Sequence, residues 1–207
     1  MIIGAGGFGR EVLDVIEAIN AEAPTWRFLG FADDGEPALD LLNDRGAPYL
    51  GPVSKLSGSN AHVVIGIGSP AARRSIASRC EEMGLPFATL VHPRAVLGAI
   101  VSLGQGTIVT ANVTVTTNVR VGRHGILNIN CTVGHDCVLG DFVTVNPGTS
   151  ISGNVTLHDD VTIGTGAAVI QGITVGQGTT VGAGAAVVRD LPPRVTAVGV
   201  PARPLTA

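Results

Sequence analysis

From Val91 onward every sixth residue is aliphatic: Val91, Leu97, Leu103, Val109, Val115, Val121, Leu127, Val133, Leu139, Val145, Ile151, Leu157, Ile163, Val169, Val175, Val181 and Val187. Val, Ile and Leu make up somewhat over a quarter of the 207 residues, so an unbroken run of this length in one phase has a chance probability on the order of 10⁻⁹. A period of six suits neither a helix, which repeats near 3.6, nor an ordinary long strand, which repeats at 2. Two residues before most of these aliphatics stands a small or β-branched side chain, as at Ala95, Thr107, Val113, Cys131, Cys137, Thr149, Ala167 and Ala185, and Gly often follows directly, as at Gly98, Gly122, Gly134 and Gly164. Residues i and i−2 of a strand share a face, so both point inward and the remaining residues turn a corner. Three such faces close one triangular coil. Seventeen repeats then stack into about five and a half coils, a prism roughly 27 Å tall at the interstrand spacing of about 4.8 Å. The 29 Gly and 3% aromatic content agree with tight corners around a narrow interior.

Residues before Val91 follow a different pattern. Ile2-Ile3 leads into Gly4-Ala5-Gly6-Gly7-Phe8-Gly9, and Arg10 to Asn20 carries Val12, Val15, Ile16 and Ile19 at helical spacing. This reads as strand, glycine turn, helix. Phe28 to Phe31 reads as a second strand ending at Asp33-Asp34, His62 to Ile67 as a third, and Pro70 to Met83 as a second helix. The expected organisation is a small Rossmann-like α/β domain over residues 1–88 and the prism over 89–207.

With 14% charged residues, a net charge of −3 and no Lys or Arg run, the chain lacks the footprint of a nucleic-acid or anionic-membrane binder. The start, Met1-Ile2-Ile3-Gly4, has no basic segment leading into an apolar one, and no apolar stretch approaches 18 residues. The expectation is a cytoplasmic protein. Cys80, Cys131 and Cys137 form no CxxC pair and read as free thiols. Cys131 and Cys137 fall on inward positions, which favours packing over nucleophilic chemistry. The histidines at 62, 92, 124, 135 and 158 show no spacing that would gather three imidazoles on zinc, and no metal is expected.

Two motifs carry chemistry. Gly4-x-Gly6-x-x-Gly9, between a strand and a helix, is the setting in which backbone N–H groups at a helix start receive a phosphate; the same glycines also suit a tight turn that binds nothing. Fewer than 90 residues is short for a dinucleotide domain, so a mononucleotide is the better fit. Asp33 and Asp34 end the next strand, where they could accept hydrogen bonds from ribose or base, or simply be solvated. In the prism, His135 and Asp136 occupy corner positions, which places the imidazole outside the core. One coil is eighteen residues, so Gly153 should lie directly above His135, its backbone N–H beside the ring. His124 occupies a different corner position and is expected to tolerate alanine.

Taken together, Gly4 to Val12, Phe31-Ala32-Asp33-Asp34, the uninterrupted hexads, Asn128-x6-His135-Asp136 and Gly199-Val200-Pro201-Ala202-Arg203 resemble bacterial sugar-nucleotide acetyltransferases of the hexapeptide-repeat family. These include UDP-4-amino-sugar N-acetyltransferases of bacillosamine synthesis, perosamine N-acetyltransferases and sialic-acid O-acetyltransferase-like proteins. The resemblance implies that the prism is a left-handed parallel β-helix, a hand that the repeat alone does not give. It implies an acetyl-CoA-dependent N-acetyltransferase of a nucleotide-linked amino sugar, with glycan biosynthesis as its setting. O-acetylation of a sugar or sialic acid is the alternative, and a non-catalytic nucleotide-binding scaffold is the rival of another class. It implies a homotrimer with acetyl-CoA in grooves between subunits. It further implies His135 as general base, Asp136 or another carboxylate as its orienting group and Asn128 lining the site. Thr144, Gly153, Gly172, Pro201 and Arg203 would contact CoA, and Gly4, Gly6, Gly7, Phe8, Gly9, Arg10, Asp33 and Asp34 would hold the sugar nucleotide. Thr144 stands where relatives often carry a second histidine, and Gly134 where they often carry an acidic residue.

The repeat phase is directly testable. Ala167→Phe or Thr107→Phe should overpack the prism interior and destabilise it by roughly 1–3 kcal/mol or more. Melting curves matching the unmodified protein would show that the phase is misassigned.

Overall fold

In the computed structural model, which describes residues 1–205, each of the seventeen repeats forms one two-residue strand, from Leu90–Val91 to Ala186–Val187. Strands eighteen residues apart pair in parallel and in register, as Ile126 does with Ile108 below and Thr144 above. Three flat sheets result, opening at Leu90–Val91, Val96–Leu97 and Ser102–Leu103, and the fold is a left-handed parallel β-helix. Above the partly open first coil the inward positions are closed to water, with Val115, Cys131, Val133, Cys137, Val145 and Leu157 all 0% exposed. Thr107 and Thr149, also inward, donate their hydroxyls to Gly122 O and Gly164 O at 3.1 Å, so no donor is stranded in the core. At the upper end, Thr196–Val198 extends the first sheet and Arg203–Pro204 folds back antiparallel on it. Ala202, its N–H bonded to Ala186 O at 2.7 Å, seals the last coil.

The α/β part comprises β1 (Ile2–Ile3), α1 (Gly7–Glu22), β2 (Phe31–Ala32), α2 (Leu39–Asn43), β3 (Tyr49–Gly51), β4 (Val64–Ile65) and α3 (Pro70–Glu82). Its four strands are parallel in the order β3-β2-β1-β4. Alternation along β1 divides the core: Ile2, with Phe31 and Val64, packs on Val12, Leu13, Val15 and Ile16 of α1, while Ile3, with Ala32, packs with Cys80 of α3. The expected second strand proves shorter and later, at Phe31–Ala32. The brief α2 and β3 were not anticipated, being too short for a period to register. Among the described residues no helix is long and apolar enough to cross a membrane.

Where the two parts meet is written in the residue just before each inward aliphatic, which points outward. On the first sheet these are Leu90, Ile108, Ile126, Thr144, Thr162 and Thr180. The first three are at most 1% exposed and Thr144 is 3% exposed, because α1 and α3 lie over them; Leu90 and Ile108 belong to the α1 core itself. From α3, Arg73 enters the seam and is 1% exposed. Its guanidinium donates to Ile67 O (2.7 Å) and Gly68 O (3.0 Å) on the α/β side, and to His124 O (2.9 Å), Phe142 O (2.7 Å) and Thr144 Oγ1 (2.9 Å) on the prism side. Burial lowers its pKa to about 9, which leaves it charged at neutral pH. Beside it Arg74 lies over the Phe142 ring at 4.2 Å and forms a two-bond ion pair with Asp160.

His124 is not the surface residue expected from its corner position. It is 0% exposed, stacked on Phe142 with ring centroids 5.0 Å apart and met edge-on by Phe87 at 4.5 Å. Neither ring nitrogen has a hydrogen-bond partner among the described residues. The repeat marks the corner, but not that α3 and Phe87 cover it. Desolvation, aided by Arg123 and Arg73, holds its pKa down at about 4. The unfolded chain titrates this group near 6.5, so between about pH 6.5 and 4 the unfolded state binds the extra proton. Stability is therefore fully present above pH 6.5 and falls as pH drops towards 4, by about 3 kcal/mol. His124→Phe keeps a ring in the seam and should lose this part of the pH dependence in denaturant titrations. An unchanged slope in that variant would assign the titration elsewhere.

Candidate active site

The corner that carries His135 is built from stacked triplets, Thr116-Thr117-Asn118, Gly134-His135-Asp136 and Ser152-Gly153-Asn154, one per coil. The third residue of each triplet is left-handed, with φ of 57° at Asn118, 59° at Asp136 and 56° at Asn154, a conformation that Asn and Asp tolerate best among residues with a side chain. A Cβ at Gly134 would stand 2.6 Å from Gly153 N, so the stacking of this corner leaves no room there for a carboxylate. His135 Nδ1 lies 2.7 Å from Asp136 Oδ2, and Asn118 Nδ2 donates to Asp136 Oδ1 at 3.1 Å. The hydrogen bonds from His135 and Asn118 hold Asp136 below the usual carboxylate range. It is ionised at neutral pH, so the proton of the neutral imidazole sits on Nδ1 and Nε2 is the free acceptor.

Gly153 does lie over His135. The glycine is buried, and a Cβ there would be 2.5 Å from both Cε1 and Nε2 of the ring. The absent side chain is the seat on which the imidazole lies. The Gly153 N–H donates to no acceptor among the described residues.

Asn128 occupies the preceding corner of the same coil, 8% exposed, with Oδ1 accepting from Ile129 N at 2.8 Å. No hydrogen bond joins it to His135 or Asp136, so one chain does not bring the three together. Thr144 is corrected by the structure: its hydroxyl accepts from Arg73 and donates to Gly68 O at 3.2 Å, and at 3% exposed it offers CoA neither a free donor nor a surface. Gly172 continues the His135 corner upward, its N–H on Gly153 O at 3.0 Å. Pro201 and Arg203 are exposed at the top of the prism, about three coils or roughly 14 Å above His135.

At the glycine turn the two possible roles fall on different residues. Gly4 has φ +99°, and a Cβ on Gly9 would lie 1.9 Å from Gly4 O, so these two are required by the close packing of strand and helix. A Cβ on Gly6 or Gly7 would meet nothing within 4 Å, which leaves the start of α1 open to a ligand. Asp33 stands at this turn, its Oδ2 accepting from Ala5 N at 2.7 Å and Oδ1 from Gly35 N at 2.8 Å, while Arg10 Nη1 donates to Ala5 O at 3.2 Å. Phe8 is partly buried against the α1 core. Asp34 is part-exposed beside Asp33: Arg79 and the Val53 N–H engage its two oxygens, and Arg79 lowers its pKa.

A family model for the PglD N-terminal domain matches residues 1–80. Among solved structures, the acetyltransferase domain of PglB from Neisseria gonorrhoeae FA1090 is 34% identical, with a TM-score of 0.88 over 99% of this chain and 98% of that one. The chain belongs to the hexapeptide-repeat sugar acetyltransferases. PerB from Caulobacter crescentus, solved in complex with CoA and GDP-perosamine, is 32% identical with a TM-score of 0.89, covering 99% of this acetyltransferase and 96% of PerB. WeeI from Acinetobacter baumannii AYE is 32% identical with a TM-score of 0.85, covering 99% and 98%. No curated protein matches the chain.

In this acetyltransferase the glycines can be separated by substitution. Gly9→Ala should cost roughly 2 kcal/mol or more in stability through its backbone clash, whereas Gly6→Val should leave the melting temperature nearly unchanged and weaken binding of a nucleotide-sugar ligand by calorimetry. Equal ligand affinity in Gly6→Val and the unmodified protein would make the turn purely structural.

Proposed function

We propose that the enzyme transfers the acetyl group of acetyl-CoA to the amino group of a nucleotide-linked amino sugar, with His135 as general base. The observation that carries this reading is the His135–Asp136 pair seated on Gly153: an outward imidazole whose Nε2 is free and whose orientation is set from below and above. The amine nitrogen adds to the thioester carbonyl carbon while His135 Nε2 takes its proton. The carbonyl oxygen becomes negative at that moment, and the Gly153 N–H is the donor assigned to it. As the C–S bond breaks, His135 returns the proton to the departing CoA sulfur and the amide is left on the sugar.

The glycine turn with Asp33 is assigned to the nucleotide and the prism to CoA, with Gly172, Pro201 and Arg203 along its path, so residues 1–88 and 89–207 divide the labour. His135 and Asn128 stand on different corners of one coil. A site that uses both draws them from neighbouring copies, which supports a homotrimer. Acetyl-CoA as donor places the reaction in the cytoplasm. The relatives solved with CoA and GDP-perosamine or with acetyl coenzyme A support the same substrate pair.

CoA release measured across a panel of nucleotide-linked amino sugars tests this. His135→Ala should lower turnover on the accepted sugar by roughly 10²–10⁴ with both substrates still bound. The loss should shrink as pH rises towards the pKa of the sugar ammonium, where free amine is abundant. Full turnover in His135→Ala would remove His135 from the chemistry.

A further inference from the structure

Asp136 is half-exposed at a corner, and a carboxylate so placed turns freely about its last torsion unless something holds it. Two groups do. His135 Nδ1 meets Oδ2 at 2.7 Å and Asn118 Nδ2 meets Oδ1 at 3.1 Å. Asn118 is itself anchored, one coil below, by its backbone N–H on Ala99 O at 3.2 Å and by its left-handed φ of 57°. We infer that Asn118 is a positioning residue of the acetyl-transfer site: by tying one carboxylate oxygen it aims the other at His135 Nδ1 and keeps the imidazole in the tautomer whose Nε2 is bare towards substrate. This rests on the acetyltransferase reading given above.

The fold contains its own comparison. At the preceding corner Asn112 Nδ2 donates to Asn130 Oδ1 at 3.2 Å, again across eighteen residues and again between left-handed positions, with φ of 58° at both. That rung supports the stack and holds no imidazole. The Asn118 rung differs in its acceptor, a carboxylate that passes the constraint on to His135. A purely architectural Asn118 would behave as Asn112 does; a positioning Asn118 would not. Charge-assisted bonds are also stronger than amide–amide ones, so the second rung constrains its acceptor more firmly.

The experiment compares Asn118→Ala, Asn118→Asp and Asn112→Ala in the intact protein. Asn118→Ala should lower kcat roughly 3–10-fold with KM for both substrates unchanged, while Asn112→Ala, with a similar change in melting temperature, keeps full kcat. Asn118→Asp sets a second carboxylate against Asp136, and the acidic limb of its kcat/KM profile should move to higher pH. Nitrogen NMR of the His135 ring supplies a reading independent of turnover: the Nδ1–H form should dominate in the unmodified protein and give way to a mixture of tautomers in Asn118→Ala. An unchanged tautomer in Asn118→Ala, or equal kcat in the two alanine variants, would overturn the role of Asn118. An unmodified protein that releases no CoA with any amino-sugar nucleotide would instead overturn the acetyltransferase reading, and the NMR comparison would still decide Asn118.

Discussion

The buried guanidinium of Arg73 is the joint on which the arrangement of this enzyme depends. A charge removed from water must be met by acceptors, and Arg73 finds them on both sides of one seam: the carbonyls of Ile67 and Gly68 from the α/β part, and those of His124 and Phe142 with the Thr144 hydroxyl from the prism. Neither part alone could satisfy it. The loop it grips, Ile67-Gly68, adjoins the glycine turn, since a Cβ on Gly4 would touch Ile67 at 2.7 Å. The coil it grips runs through Phe142, a few residues beyond His135. The joint therefore fixes the glycine turn against the coil that follows His135 through directed bonds, which add to the apolar contact of Leu90 and Ile108 with α1.

Aromatic residues show the same concentration. The chain has one Trp, one Tyr and five Phe, and the prism interior holds none. Phe87 and Phe142 are instead drawn to the seam, where they box in His124 and carry the guanidinium of Arg74. Rings that would burst a triangular core have room between two parts that were never one repeat.

Much of this was legible beforehand. The inward phase of the repeat predicted the buried state of Thr107, Ala167, Cys131 and Cys137, and the eighteen-residue coil predicted that Gly153 would lie on His135. What escaped was information of a second kind. The outward residues Leu90, Ile108 and Ile126 announce a covered face as plainly as the inward ones announce a core, but only when every third repeat is compared. Asn118 was reachable by counting eighteen residues down from Asp136, the count that upward reached Gly153. Thr144 and His124 were not reachable in this way. Their surroundings come from α3 and Phe87, brought to them by the docking of two parts with different periods, and no single repeat contains that geometry.

The α/β part covers mainly the lower coils of its face, and above Thr144 the same face carries the partly exposed Thr162 and the exposed Thr180. Everything that sets His135 lies at or below that level, apart from the glycine it rests on. The upper prism is thus free to lengthen or shorten by whole coils, each carrying Pro201 and Arg203 about 4.8 Å further from or nearer to His135. The stack behaves as a ruler graduated in eighteen-residue steps, and the number of turns sets the distance between the imidazole and the C-terminal hairpin.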